Sequence, residues 1–242
     1  DPKDDVIFDG VAATDAVDAP DGFDANALSM MGALARTCEM AGALEAMLDD
    51  SERAGDVARL LEPHFASNES WDELARVLEV QLATQAGSNE RTEIVLRLAE
   101  LREVRMADAA GAYDILSDGL RDQPEDPRFA APLERHAANL ERWADLAELL
   151  LEVGSDAQGP SLRLRAARIQ REELDDPSAA LETYRSILAD DPAEESAFDG
   201  LEAVCREAGL WEELLAAYQG RLEGTEDKEE RIALLTKVAK IQ

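Results

Sequence analysis

From about residue 25 onward, apolar side chains recur at steps of three and four. The runs Trp71, Leu74, Leu78; Trp143, Leu146, Leu150; and Trp211, Leu214, Tyr218 each place their apolar members on one face of a helix. No stretch alternates with a period of two, the signature of a half-buried strand. The pattern predicts an all-α chain.

The pattern also repeats itself. The three tryptophans are separated by 72 and 68 residues. A Leu–Glu pair lies upstream of each: Leu61-Glu62, Leu133-Glu134 and Leu201-Glu202. Downstream comes a second helical phrase: Ile94, Leu98, Ala99, Leu101; Leu162, Ala166, Ala167, Ile169; and Leu234, Val238, Ala239, Ile241. The four-residue difference falls between Trp143 and Leu162, where a loop absorbs it. A unit of about 70 residues predicts four helices, or two hairpins of about 34 to 36 residues. Asp126-Pro127, Asp176-Pro177 and Asp191-Pro192 read as N-caps followed by proline in the first turn. Pro63, Pro132 and Gly200 fall inside the helix before each tryptophan, so those helices are expected to be short or kinked.

The run Ala180, Tyr184, Ile187, Pro192 resembles the second helix of a tetratricopeptide repeat, and Ala112, Leu116, Gly119, Pro124 repeat its spacing 68 residues earlier. Trp211, Leu214 and Tyr218 match the same motif more loosely, with leucine in place of the expected alanine. The resemblance implies a right-handed α-solenoid of stacked antiparallel hairpins, about 12–13 helices, over 25–242. Within it, Trp71, Trp143, Trp211, Leu74, Leu146, Leu214 and Tyr184 are the expected packing pegs between hairpins. Truncating a tryptophan peg should cost about 3–5 kcal/mol. The hairpin at about 25 to 50 matches weakly through Leu44 and Leu48 and reads as a degenerate cap. The last helix, about 227 to 241, is expected to keep an open apolar face, covered by more protein or by a partner.

Residues 1–24 stand apart. They hold eight aspartates (Asp1, Asp4, Asp5, Asp9, Asp15, Asp18, Asp21, Asp24) against Lys3, with Gly10, Pro20 and Gly22. Such a segment cannot repay its ordering entropy alone, and it reads as a flexible or docked acidic arm that Val6, Ile7 and Phe8 could anchor. The whole chain carries a net charge of −30, which disfavours nucleic-acid backbones and anionic membranes. Solubility explains that charge, and so does steering of a basic protein partner. Arginine far exceeds lysine and alanine is abundant, as in a GC-rich bacterial source. Cys38 and Cys205 lie far apart and do not decide the compartment. A cytoplasmic setting is expected, with the periplasm or cell envelope as the alternative.

Chemistry is sparse. His64 and His136 each precede a tryptophan by seven residues, and recurrence in register points to architecture. Cys205 stands where Phe65 and Ala137 stand in the other units and reads as a core thiol. The pairs Glu212-Glu213, Asp190-Asp191 and Glu194-Glu195 read as caps and dipole partners at helix starts. No catalytic set, metal site or cofactor site can be assembled. One ladder stands out: Arg97, Arg165 and Lys237 share a repeat position on the first helix of successive units. The tetratricopeptide resemblance implies that such cations line the concave face and grip a partner's carboxylate. Ion pairing within the protein is the competing explanation, with Glu93 and Glu100 at helical spacing from Arg97. The expected function is a non-catalytic scaffold for a partner peptide or helix, basic or presenting a carboxylate. The alternatives are a structural subunit contacting neighbours through its ends and a regulatory arm of a longer enzyme.

Overall fold

A computed structural model of the chain describes residues 53–240 apart from 86, 157–159 and 225–226, together with Gly42, Leu44, Glu45 and Leu48. The acidic arm, most of the 25–50 hairpin and Cys38 lie outside the described residues. Within them the chain is all helix: α1 (Ala54–Ser67), α2 (Trp71–Thr84), α3 (Ser88–Val104), α4 (Ala109–Asp122), a 3-10 turn (Pro127–Phe129), α5 (Ala130–Leu140), α6 (Trp143–Asp156), α7 (Ser161–Glu172), α8 (Pro177–Asp190), α9 (Glu195–Glu207), α10 (Trp211–Gly224) and α11 (Lys228–Ala239). Each helix packs chiefly on its neighbours in sequence. The result is a stack of helical hairpins, an α-solenoid.

Two kinds of turn recur down the stack. Before each tryptophan helix one residue adopts a left-handed conformation: Glu69, Glu141 and Gly209, with φ of 56°, 55° and 69°. Beside it the next amide reaches back five residues, from Ser70 to the Phe65 carbonyl (3.0 Å), Arg142 to Ala137 (2.8 Å) and Leu210 to Cys205 (2.8 Å). These bonds close carbonyls that the helix end would otherwise leave open. Ahead of α4 and α8 the same role falls to Ala107 and Asp175, with φ of 54° and 50°. Asp108 then caps α4 by accepting from the Gly111 amide (2.8 Å), and Asp176 caps α8 by accepting from Ala179 (2.9 Å).

Some punctuation behaves otherwise than its sequence suggests. Asp126 caps only the 3-10 turn, through the Arg128 amide. Asp191-Pro192 starts no helix: Asp191 closes α8, and Glu194 caps α9. Pro63 interrupts nothing, since α1 runs through it for 14 residues with the proline on the exposed side. There water can serve the carbonyl left without a donor. Pro132 sits in the first turn of α5, where no amide bond is required. Gly200 answers to packing, because a Cβ there would stand 2.3 Å from Cζ of Tyr184 on α8.

The apolar side chains gather into three successive clusters. Leu74, Leu146, Leu214 and Tyr184 are buried in them, as are Leu61, Leu133 and Leu201. The tryptophans are not buried pegs. Trp71 and Trp143 are half-buried at the cluster margins, and Trp211 is 48% exposed. Each is the first residue of its helix, just past the turn, where fewer neighbours reach it. The leucine one turn further in takes the central place. Arg105 stacks over the Trp71 ring at 5.0 Å, a contact that a rim position permits.

Two outcomes follow for stability. Leu146→Ala should cost about 2–5 kcal/mol in urea unfolding, whereas Trp211→Ala should cost below about 1 kcal/mol. Gly200→Ala should lose about 1–3 kcal/mol, because the buried Tyr184 ring must shift to admit the added methyl. Adding Tyr184→Leu should recover part of that loss in a double-mutant cycle.

Candidate interaction cleft and ion-pair ladder

The first helices of successive hairpins are α1, α3, α5, α7, α9 and α11, and the ladder residues lie on them. Each cation is joined to the glutamate of the upstream Leu–Glu pair. Arg97 on α3 bonds Glu62 on α1. Arg165 on α7 meets Glu134 on α5 at 3.3 Å. Lys237 on α11 meets Glu202 on α9 at 3.1 Å. Arg97 therefore reaches across to another helix instead of pairing with Glu93 or Glu100, and the three cations sit in three separate units. The glutamates recur in the sequence as visibly as the cations do. What periodicity could not supply is that residues 31 to 35 apart face each other across neighbouring first helices.

Burial works against the charge on Glu62, yet bonds from Gln81 (2.8 Å) and Arg97 hold its carboxyl below the usual carboxylate range. Lys237 also lies 5.8 Å from the centre of the Tyr218 ring, so its ammonium is held from two sides.

In the middle unit the pair stands at the mouth of a cleft of about 190 Å³. Leu120, Leu133, Leu146, Leu150 and Leu162 form its apolar wall and floor, and Pro124, Glu125, Asp126, Pro127, Glu134 and Arg165 border it. Asp126 holds one side of the cleft in place. Its carboxylate takes the Arg128 guanidinium (2.6 Å) and the Thr92 hydroxyl (2.9 Å), fastening the 3-10 turn to α3. Bonds from Arg128, opposed by partial burial, keep that carboxyl far below the usual range. The equivalent place in the third unit, lined by Phe198, Leu234 and Lys237, opens into a polar cleft with Glu195, Asp199 and Arg221.

The remaining sequence candidates are architectural. Cys205 is buried, and burial pushes its thiol up, opposed by Arg185, which leaves it a poor nucleophile. Among the described residues no group of three or more histidines, cysteines, aspartates or glutamates could hold a metal. Nor is any described helix long and apolar enough to cross a membrane. Glu212 and Glu213 occupy the first turn of α10, and Glu194 caps α9. Asp190 is different: it ends α8, where the helix dipole disfavours it, and Arg163 holds it at 2.6 Å.

The buried faces of α4 and α8 share one arrangement. Ala112, Leu116 and Gly119 on one, and Ala180, Tyr184 and Ile187 on the other, are all buried at equivalent places in the stack. These are the positions at which the sequence resembles a tetratricopeptide repeat. No family model matches the chain, and no curated protein matches it. Solved structures do. A MamA structure (MSR-1) is 17% identical with a TM-score of 0.36, covering 71% of this chain and 96% of its own. A chain from the Naa15/Naa10 complex bound to HypK-THB is 15% identical with a TM-score of 0.39, covering 89% of this chain and 33% of its own. The P58(IPK) TPR domain is 11% identical with a TM-score of 0.29, covering 90% of this chain and 70% of its own. What those proteins hold or assemble with remains a property of theirs.

The histidines differ despite their shared register. His64 is half-buried, its Nε2 3.1 Å from the side-chain amide nitrogen (Nδ2) of Asn68. His136 is 1% exposed and lies 3.4 Å from Glu103 of α3. Burial lowers the pKa of His136, Glu103 opposes that, and Arg135 adds to it. A depressed basic group resists protonation when folded, so the unfolded chain binds the extra proton as pH falls below about 6.5. The third unit carries Val204 at this place, fully buried. His136→Val should therefore flatten the loss of stability between about pH 7 and pH 5 relative to the parent, read by urea unfolding across that range.

Proposed function

We propose that this chain is a non-catalytic interaction scaffold that holds a partner peptide or helix along the first helices of its hairpins. The cleft between α4, α5, α6 and α7 supports this reading: an apolar floor reached from the surface, bordered by Glu125, Asp126 and Glu134 with Arg165 as its one cation. A segment pairing an aliphatic side chain with a lysine or arginine matches it, the aliphatic group over the leucines and the cation beside Glu125 or Glu134. The net charge of −30 would speed the approach of such a segment. A partner presenting a carboxylate would use the same place differently, exchanging with Glu134 for Arg165. The structural-subunit reading draws support from a different feature, the apolar side chains Ile232 and Leu235 exposed on α11.

The two ligand chemistries predict opposite responses to charge reversal. Peptides selected from a displayed random library on the whole chain should be rich in leucine, isoleucine, lysine and arginine. Their binding, measured by calorimetry, should weaken at least about tenfold with Glu134→Lys and hold or tighten with Arg165→Glu. Carboxylate-directed peptides would show the reverse at Arg165, and at Lys237→Glu where they engage the third unit. Binding that ignores all three reversals removes both the cleft and the ladder from the function. Glu134→Lys and Arg165→Glu should each cost below about 1 kcal/mol of stability, since their pair is partly exposed on both sides, whereas Lys237→Glu should cost more because Glu202 is buried.

A further inference from the structure

Between the second helices α4 and α6 lies a cleft of about 420 Å³ that shares no lining residue with the cleft at Arg165. Five carboxylates line it, Asp114 and Asp118 on α4 and Asp145, Glu148 and Glu152 on α6, against the two guanidiniums of Arg121 and Arg142. The arginines act as clamps. Toward the helix starts, Arg142 meets Asp114 at 3.1 Å and Asp145 at 2.6 Å. Toward the helix ends, Arg121 meets Asp118 at 3.1 Å and Glu152 at 3.4 Å. Each clamp keeps one negative charge in surplus, and neither reaches Glu148, which stands between Asp145 and Glu152 on α6.

A second and independent feature marks the same place. Tyr113, also in the cleft wall, is 2% exposed, yet its hydroxyl has no hydrogen-bond partner. Ser117, one turn on, spends its proton on the Tyr113 carbonyl at 2.8 Å, and the Arg142 guanidinium lies 4.2 Å from the centre of the Tyr113 ring. Burial pushes the pKa of that hydroxyl up, Ser117 and Arg142 oppose the shift, and Asp145 and Asp114 add to it, so the groups acting on it are those of the cleft wall. Buried polar groups are normally satisfied, and an orphan oxygen among carboxylates suits a ligand rich in donors. Stacking does not require this chemistry. In the third unit the places of Tyr113, Arg121, Glu148 and Glu152 are taken by Leu181, Ala189, Ala216 and Gly220, and the groove there is mostly apolar.

We propose that the cleft between α4 and α6 binds aliphatic ammonium groups set about one helical turn apart, as in a linear polyamine or in lysines spaced along a partner segment. Among the described residues no three acids converge as metal ligands would, so the negative charge is spread and suits a ligand whose positive charges are spread as well. On each helix the carboxylates advance by about one turn, 5.4 Å, a step that a propylene or butylene spacer between amines can follow. One ammonium would donate to the Tyr113 oxygen and to Glu148. Its neighbours would face the surplus carboxylate of each clamp, and the methylenes between them would lie on Leu149, the one aliphatic side chain of the wall. This site does not depend on the reading of the cleft at Arg165.

Two probes separate the sources. Spermidine, and a helical alanine-rich peptide with lysines spaced as Asp114 and Asp118 are, are each titrated into the whole chain by calorimetry in about 0.15 M salt, which screens the general field. At least one should bind saturably and one-to-one, and Glu148→Gln and Tyr113→Phe should each weaken it at least about fivefold. The ligand that shows this dependence identifies the source. Glu182→Gln, at the place of Asp114 in the third unit, should leave the binding unchanged. Tyr113→Phe keeps the ring beneath Arg142 and deletes a hydroxyl without a partner, so its thermal midpoint should hold or rise, which separates lost binding from lost folding. Two results overturn the proposal: no saturable binding of either probe up to about 1 mM, or binding that either Glu148→Gln or Tyr113→Phe leaves undiminished. The second would reduce it to counterion attraction by a chain of net charge −30.

Discussion

A helical hairpin has two broad sides and can bury only the seam between its own helices. Its remaining apolar surface must be shielded by the hairpins before and after it, and the rest of this structure depends on that constraint. It explains why Ala112 and Ala180 are small: each lies where a neighbouring helix approaches closely. It explains Gly200, whose missing side chain leaves room for the Tyr184 ring. It also explains why the recurring turns are as regular as the helices. A turn of another shape would rotate the next helix and expose the row of leucines that the stack needs inside.

Once the leucines have set the contacts, arginines tie neighbouring helices together. Arg91 meets Asp122, Arg121 meets Glu152 and Arg163 meets Asp190, each pair spanning two helices, and Arg142, in the turn before α6, meets Asp114 on α4. Partly exposed pairs of this kind add little stability individually. A planar guanidinium with several donors is nevertheless well suited to hold two helices in one relative position, which suits a chain whose bases are mostly arginine. The Glu62–Arg97, Glu134–Arg165 and Glu202–Lys237 pairs belong to the same scheme. A ligand reaching for those cations must displace an internal glutamate, whereas a cationic ligand meets carboxylates already bordering an apolar floor. The acidic surplus then acts at long range as a field and at short range as the edge of a cleft.

Much of the architecture was legible from spacing. The all-helix class, the two-hairpin unit and the burial of Leu74, Leu146, Leu214 and Tyr184 all follow from period and recurrence. The tryptophans show where that reasoning falls short. Recurrence of a large residue marks an equivalent place in each unit, not its depth, and the first position after a turn is shallow in every unit. Pro63 and Asp191 show a second shortfall, because whether a proline breaks a helix or an aspartate caps one depends on which side faces water. The cleft was not legible at all, although Leu133, Glu134, Leu146 and Leu162 beside it all recur, because its volume is the gap left between four helices.

By itself the sequence determined the helical period, the length of the repeat, the residues that must be inside and the sign of the surface charge. These depend on local chemistry and on distances along the chain. The tertiary structure alone decided which glutamate each cation meets, how deep each tryptophan lies and where the stack leaves a cleft. Those are relations between residues about 30 or more apart, and only the angle and separation at which one hairpin settles on the next brings them together.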